Sequence, residues 1–231
     1  MPAELLRCVI LGGGGHARVV IDALQAGGAA IPTMVLEANR NLWGTTLLGV
    51  PVRGGDEQLP VLARDGIRHF IVGLGGVGDN GPRKRLFELA LQHGLRPLTV
   101  RHPSTVCSRW ATIGEGTVVL PGAIINAGAA VGVNVIVNSG AVIEHDCVVG
   151  DHVHVATGAK LCSTVRIGNA AHIGAGAVVR QCLTIGEGAV VGAGAAVVKD
   201  VPAGATVCGV PAEPAESIIG GVADLQRQDL G

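Results

Sequence analysis

The sequence predicts two unlike halves: an α/β domain of Rossmann type over residues 1–104 and an all-β parallel β-helix over residues 105–212, followed by a C-terminal tail, 213–231. Three observations carry the prediction. Fifteen aliphatic residues recur at every sixth position, without a slip, from Ile113 to Val197. Four places after each comes a second row of mostly small or β-branched residues, among them Thr117, Ala123, Ala129, Val135, Ala141 and Cys147, with Leu183 as its large member. Ahead of both rows, short apolar runs alternate with helical patterns behind a tetraglycine turn, Gly12–Gly15.

In the front half, Arg7–Leu11 reads as a strand, Gly12–Gly15 as a turn, and His16–Ala26 as a helix with Val19, Val20, Ala23 and Leu24 on its apolar face. Strands near Thr33–Leu36, His69–Val72 and Pro97–Val100 and helices near Glu57–Arg64 and Arg83–His93 continue the alternation, which implies a small parallel sheet.

In the second half, a period of six suits neither a helix, whose apolar stripe repeats near 3.6, nor a hairpin meander. It suits a parallel β-helix, in which two residues per side point inward and the one between them points out. Three six-residue sides close a triangular coil of 18 residues, so fifteen anchors give about five coils. Gly, Asn and Asp supply the corners. The tail holds one candidate element, a short helix over Ile218–Leu225.

The composition narrows the function. Over 231 residues the charge is 17 − 18 = −1, which gives no electrostatic footprint for nucleic acid or an acidic membrane. Aromatic residues make up 2% with no Tyr, which argues against extended stacking platforms. No uninterrupted apolar run is long enough to span a membrane. The six cysteines are scattered, never form C-x-x-C, and two of them, Cys107 and Cys147, occupy inward positions of the repeat, so a reducing cytoplasm is the expected compartment.

Gly12-Gly13-Gly14-Gly15-His16-Ala17 satisfies G-x-G-x-x-A at a strand-to-helix junction, where bare glycines admit a phosphate to backbone N–H groups. Glu37 follows at the end of a second strand, where a ribose-binding carboxylate would sit. A nicotinamide dinucleotide site, a structural turn and a nucleotide-linked sugar site all satisfy this motif. In the coil, Glu144, His145 and Asp146 fall together at a corner, and a carboxylate beside the imidazole could hold it as a general base. His154 and His172 lie 18 apart on outward positions and so stack one coil apart, at the surface or an interface. The spacings 145 to 152, 152 to 154 and 154 to 172 do not match the histidines five apart of metal-dependent coils, so no metal is expected. Outward Val118, Ile124, Ile136, Val142 and Val148 would leave apolar stripes on a lone coil, which predicts packing against sister subunits or the front domain.

The chain resembles the sialic-acid O-acetyltransferase/bacillosamine-pathway N-acetyltransferase group of hexapeptide-repeat enzymes over nearly its whole length. The resemblance rests on Leu11–Ala17, His102-Pro103-Ser104, Ile113-Gly114-Glu115-Gly116, Ile143-Glu144-His145-Asp146-Cys147 and Gly209-Val210-Pro211-Ala212. It implies a left-handed coil, a homotrimer with active sites between subunits, and acetyl-CoA as acetyl donor. It also implies His145 as catalytic base with Asp146 holding its ring. Gly13, Gly14, Gly15 and His16 would receive the phosphates of a nucleotide sugar, Glu37 would lie near its base or ribose, and Asn138 near the acceptor sugar. The donor would run past His154, Gly158, Ser163, Gly174, Ala175, Ala193, Val210 and Pro211.

Three departures qualify the resemblance. Glu37-Ala38 stands where members often carry two aspartates, the loop Gly75–Asn80 is longer than usual, and Cys162-Ser163 replaces a small, glycine-rich pair. The expected reaction is N-acetylation of a nucleotide-linked amino-deoxysugar. Its rivals are O-acetylation on the same scaffold, a non-catalytic nucleotide-sugar binding module, and a dinucleotide oxidoreductase.

Overall fold

A computed structural model describes residues 5–28, 30–62 and 64–215. The front half contains β1 (Leu6–Leu11), α1 (Gly15–Gly27), β2 (Ala30–Leu36), β3 (Thr46–Leu47), β4 (Val50–Pro51), α2 (Leu59–Leu62), β5 (His69–Val72), α3 (Gly81–Gln92) and β6 (Arg96–Pro97). Its sheet has the order β2-β1-β5-β6, and all neighbours run parallel. Cys8, Val9, Ile10 and Leu11 are fully buried because β1 lies inside the sheet with layers on both faces. Helix α1 buries Ala17, Val20, Ile21 and Leu24, a helical stripe, and ends at Gly28, whose φ of 62° closes the helix by donating its N–H to Leu24 O.

The second half is a parallel β-solenoid of three faces. The first face stacks, from the bottom, Val100–Arg101, Val118–Val119, Ile136–Val137, His154–Val155, His172–Ile173, Val190–Val191 and Thr206–Cys208. The second runs from Val106–Cys107 to Ala196–Val197, and the third from Thr112–Ile113 to Thr184–Ile185. Every pairing within the repeat has a register of 18, for example Ile136 with His154 and Val142 with Lys160. The two inward rows form one continuous core, in which Ile125, Val137, Ile143, Val155, Leu161 and Ile173 are fully buried.

There are about six turns rather than five. The extra sides are Val100–Arg101 and Val106–Cys107 at the bottom, where the aliphatic row gives way to Arg101 and Cys107, and Thr206–Cys208 at the top, where Val191 pairs with Val207 and the step is no longer 18. At the bottom end the expected strand Pro97–Val100 divides. Leu98 donates to Phe70 O of the front sheet, whereas Val100 donates to Thr117 O of the solenoid, so the chain changes sheets between them. The expected helix over Glu57–Arg64 is shorter, a 3₁₀ turn Asp56–Gln58 leading into α2. The tail helix expected over Ile218–Leu225 lies outside the described residues.

The halves pack through the solenoid's first face. Val118, Leu120 and Ile136 join the core that contains α1, and Val133 packs against the core beneath α3. Thus two of the outward apolar positions, Val118 and Ile136, are covered by the front domain. Val148 on the third face remains 40% exposed, and so does Val178 on the second.

Candidate active site

Where α3 meets the solenoid, one arginine fastens the two halves. Arg83 is buried, and its Nη1 donates to Val72 O (2.7 Å) and Leu74 O (2.8 Å) while Nε donates to Asn134 O (3.3 Å). Burial pulls its pKa down to about 9. Three residues earlier, Asn80 Nδ2 donates to Ala170 O and Ala171 O, pinning the end of the Gly75–Asn80 loop to the solenoid. A Cβ at Gly76 would collide with Asn80 Oδ1 and displace the Asn80 amide. The loop therefore curls tightly over the first face, and Gly76 O accepts the Nδ1 proton of His154 at 2.5 Å.

That bond fixes the His154 tautomer. With Nδ1 protonated, Nε2 is a bare lone pair and accepts from Asn138 Nδ2 at 3.1 Å. Burial is the main cause that lowers the His154 pKa to about 4, with the charges of His172 and Arg83 adding to it against the Gly76 bond. His172 packs edge-on at 5.0 Å between ring centroids, and burial lowers its pKa as well. His16, at the start of α1, is held at about 3 by burial, then by Arg83 and His154. Of the surface and interface positions expected for His154 and His172, the structure gives an interface, with the front domain. Both are 7% exposed, because the front-domain loop lies across the face that the repeat alone would leave open.

Two adjoining cavities flank this histidine group. One, of about 450 Å³, is lined by Gly15, His16, Gly76, Val77, Asn138 and His154. The other, of about 440 Å³, has walls of Val77, Asn138, His154, Gly174, Ala175 and Ala193. The structure thus brings together Gly15, His16, Asn138, His154, Gly174, Ala175 and Ala193. Gly158 follows Thr157 along the same solenoid edge, and the turn Val210-Pro211 tops it.

His145 and Asp146 lie elsewhere, on the edge between the second and third faces. Asp146 takes a φ of 59°, a corner conformation that Asp tolerates, and its carboxylate fills the place of a Cβ on Gly128 one coil below. From there Oδ2 lies 2.8 Å from His145 Nδ1. The two side chains are 57% and 65% exposed, so the imidazole is held but open. Ser163 sits one coil above His145 on this edge, and neither residue lines the cavities of the first face. Among the described residues no cluster of three or more His, Cys, Asp or Glu is gathered at one point as a metal site would require.

Gly13 and Gly14 form the turn between β1 and α1. Glu37, at the end of β2, turns back onto it: Oε2 accepts from Gly13 N at 2.5 Å and Oε1 from Asn39 N at 2.8 Å. Its carboxylate therefore already joins two loops. Arg83 escaped the sequence reading, which singled out Gly75–Asn80 as a lengthened loop without giving Asn80 or Gly76 a role. A signal for Arg83 exists, since it shares the buried stripe of α3 with Phe87 and Ala90 at helical spacing.

A Rossmann-type front domain docked on a β-solenoid, with glycine turn, histidine-lined cavities and small-residue edge, defines a class of bipartite group-transfer scaffold. Residues 7–90 match the PglD N-terminal domain family. A mutant of perosamine N-acetyltransferase from Caulobacter crescentus, solved in complex with CoA and GDP-perosamine, is 39% identical over 91% of this chain and 97% of that one, with a TM-score of 0.84. The acetyltransferase domain of PglB from Neisseria gonorrhoeae FA1090, in complex with acetyl coenzyme A, is 36% identical over 91% and 100%, with a TM-score of 0.84. WeeI from Acinetobacter baumannii AYE is 28% identical over 91% and 100%, with a TM-score of 0.68. No curated protein sequence matches the chain. The chain belongs to the hexapeptide-repeat sugar acyltransferases and is an acyltransferase.

Proposed function

We propose that the chain is an acetyl-CoA-dependent N-acetyltransferase acting on the amino group of a nucleotide-linked amino-deoxysugar, with His145 as general base. The observation that carries this reading is the open imidazole of His145 held by Asp146 at 2.8 Å. With Nδ1–H donated to that carboxylate, Nε2 faces solvent as a bare acceptor. It takes the proton of the amine as the nitrogen attacks the thioester carbonyl. A C–N bond forms, the C–S bond breaks, and the proton passes on to the departing thiolate. Asp146 stabilises the imidazolium between the two transfers, and no acyl-enzyme is needed.

Residues 1–104 receive the nucleotide sugar at Gly13, Gly14, Gly15 and His16, and residues 105–212 hold the donor. The small, apolar walls of Gly174, Ala175 and Ala193 suit a slender pantetheine arm, with His154 as a neutral polar wall, Gly158 and the Val210-Pro211 turn along the same edge, and Asn138 beside the acceptor. Glu37 holds the glycine turn under the nucleotide through Gly13.

His145 and Ser163 occupy a different solenoid edge from the cavities, so in this reading a second copy brings them together and the enzyme is a homotrimer with sites between subunits. The six cysteines, all free, accord with a cytoplasmic protein. Among the described residues no helix is long and apolar enough to cross a membrane.

The test is thiol release from acetyl-CoA with UDP-, dTDP- and GDP-linked amino sugars. Release is expected with at least one of them, and the product should resist hydroxylamine, as an amide does and an ester does not. A labile product would assign O-acetylation instead. Release that survives His145→Ala undiminished would remove the base assignment.

A further inference from the structure

Val77 is the most exposed large apolar side chain among the described residues, 92% open, and it stands between the two cavities of the site and lines both. We infer that Val77 sets the length of the acyl group transferred, admitting acetyl and rejecting longer chains, an inference that rests on the acyl-transfer reading above and deepens it.

Anchors on both sides fix its place. In Gly75-Gly76-Val77-Gly78 it carries the one side chain. Ahead of it, Gly76 O accepts from His154 Nδ1, and the backbone passes so close to His16 that a Cβ at Gly75 would touch the His16 Cβ at 3.4 Å. Behind it, Gly78 takes a φ of 75°, Asp79 Oδ1 accepts from Gly81 N at 2.7 Å, and Asn80 Nδ2 donates to Ala170 O and Ala171 O of the solenoid. A tip tied down at both ends does not swing aside for a larger group. Nothing within the chain buries the valine, so its apolar contact is supplied from outside the chain.

The geometry of transfer selects that contact. The nucleotide sugar occupies the cavity of Gly15 and His16, and the donor occupies the cavity of Gly174, Ala175 and Ala193. The thioester carbon is bonded to sulfur on the donor side and attacked by the amine from the acceptor side, so it lies where the cavities meet. Its methyl group lies one C–C bond further on. Four residues line both cavities, Val77, Asn138, His154 and Thr157, and Val77 is the one wholly apolar side chain among them. Asn138 and His154 are already bonded to each other at 3.1 Å, which leaves the valine as the surface for the methyl. Each added methylene drives the chain into a tip that is anchored, and overpacking of that kind is unfavourable.

The experiment measures kcat/KM for acetyl-, propionyl- and butyryl-CoA with whichever of the GDP-, UDP- and dTDP-linked amino sugars turns over, together with equilibrium binding of the three acyl-CoAs without acceptor. The parent is expected to prefer acetyl over propionyl by about 10- to 200-fold, the range for one methylene in an apolar pocket. Val77→Ala should narrow that ratio by about 10-fold and leave the KM for the nucleotide sugar in place. Val77→Thr keeps the branched shape and should keep the order of the donors, whereas Val77→Leu should lower propionyl and butyryl transfer further.

An acyl preference that is the same in the parent, Val77→Ala and Val77→Leu overturns the inference, and so does a parent that uses butyryl-CoA as well as acetyl-CoA. A raised KM for the sugar in Val77→Ala with an unmoved acyl ratio also overturns it, assigning the valine to the acceptor or to the partner subunit. Absence of transfer to all three sugars removes the N-acetyltransferase reading alone. The binding data then decide: a propionyl-CoA affinity that rises in Val77→Ala supports the role of Val77, and one that does not rise overturns it.

Discussion

The solenoid carries histidines in two opposite settings, His154 and His172 on the first face and His145 on the edge between the second and third. The first pair lies under a loop of the front domain, where burial holds both rings below ordinary imidazole basicity. The edge histidine stands open, and its one fixed contact is a carboxylate. The same side chain thus serves as an uncharged wall in one place and a candidate proton carrier in the other, and burial makes the difference.

The largest expected effect tests that division directly. His145→Ala should lower kcat by about 10²–10⁴-fold, with little change in KM for either substrate. His154→Gln should raise KM for acetyl-CoA while leaving the pH dependence of kcat in place. A pH profile that changes with His154 and not with His145 would reverse the roles. Next in size is Arg83→Met. It removes the donors to Val72 O, Leu74 O and Asn134 O, and each buried carbonyl left unpaired costs about 1–3 kcal/mol. A lowered thermal midpoint is expected, and because the Gly75–Asn80 loop loses its anchor, a raised KM for acetyl-CoA with it. A midpoint equal to that of the parent would show that the two halves stay docked without the arginine.

These two settings were not equally legible in the sequence. The edge was, because a strict repeat assigns every corner a position and polar residues there stand out. Glu144-His145-Asp146 could be placed by counting from Ile143. The 18-residue step likewise put His154 beside His172. Burial of that pair was not legible, since it depends on a loop from the other half, and no periodicity within residues 105–212 encodes what lies on top of them. Arg83 and Asn80 show the same limit. Each is an ordinary polar residue in its own helix or loop, and each becomes buried only when its carbonyl partners arrive from the solenoid. The coil count failed for local reasons at both ends: Arg101 and Cys107 interrupt the aliphatic row just where the chain changes sheets, and Thr206–Cys208 pairs out of the 18-residue step.

A smaller effect tests the burial of His154 and His16 through acid stability. In the folded chain His154 titrates near about 4 and His16 near about 3, against an ordinary value of 6.5 that the unfolded chain would show. Below 6.5 the unfolded state takes up protons that the folded state refuses, so stability is fully present above that pH and is lost as pH falls through the window from 6.5 toward 4. The groups facing His154 deepen the loss, because Arg83 is cationic and His172 cannot share a second charge at 5.0 Å between rings. Each buried ring should cost on the order of 2 kcal/mol at about pH 5. Urea midpoints measured between about pH 7 and about pH 5 should therefore fall steeply for the parent and less for the His16→Gln, His154→Gln double variant. If the double variant kept the full slope, the acid-sensitive groups would lie outside the loop-covered face, and the contrast between the two settings would rest on geometry alone.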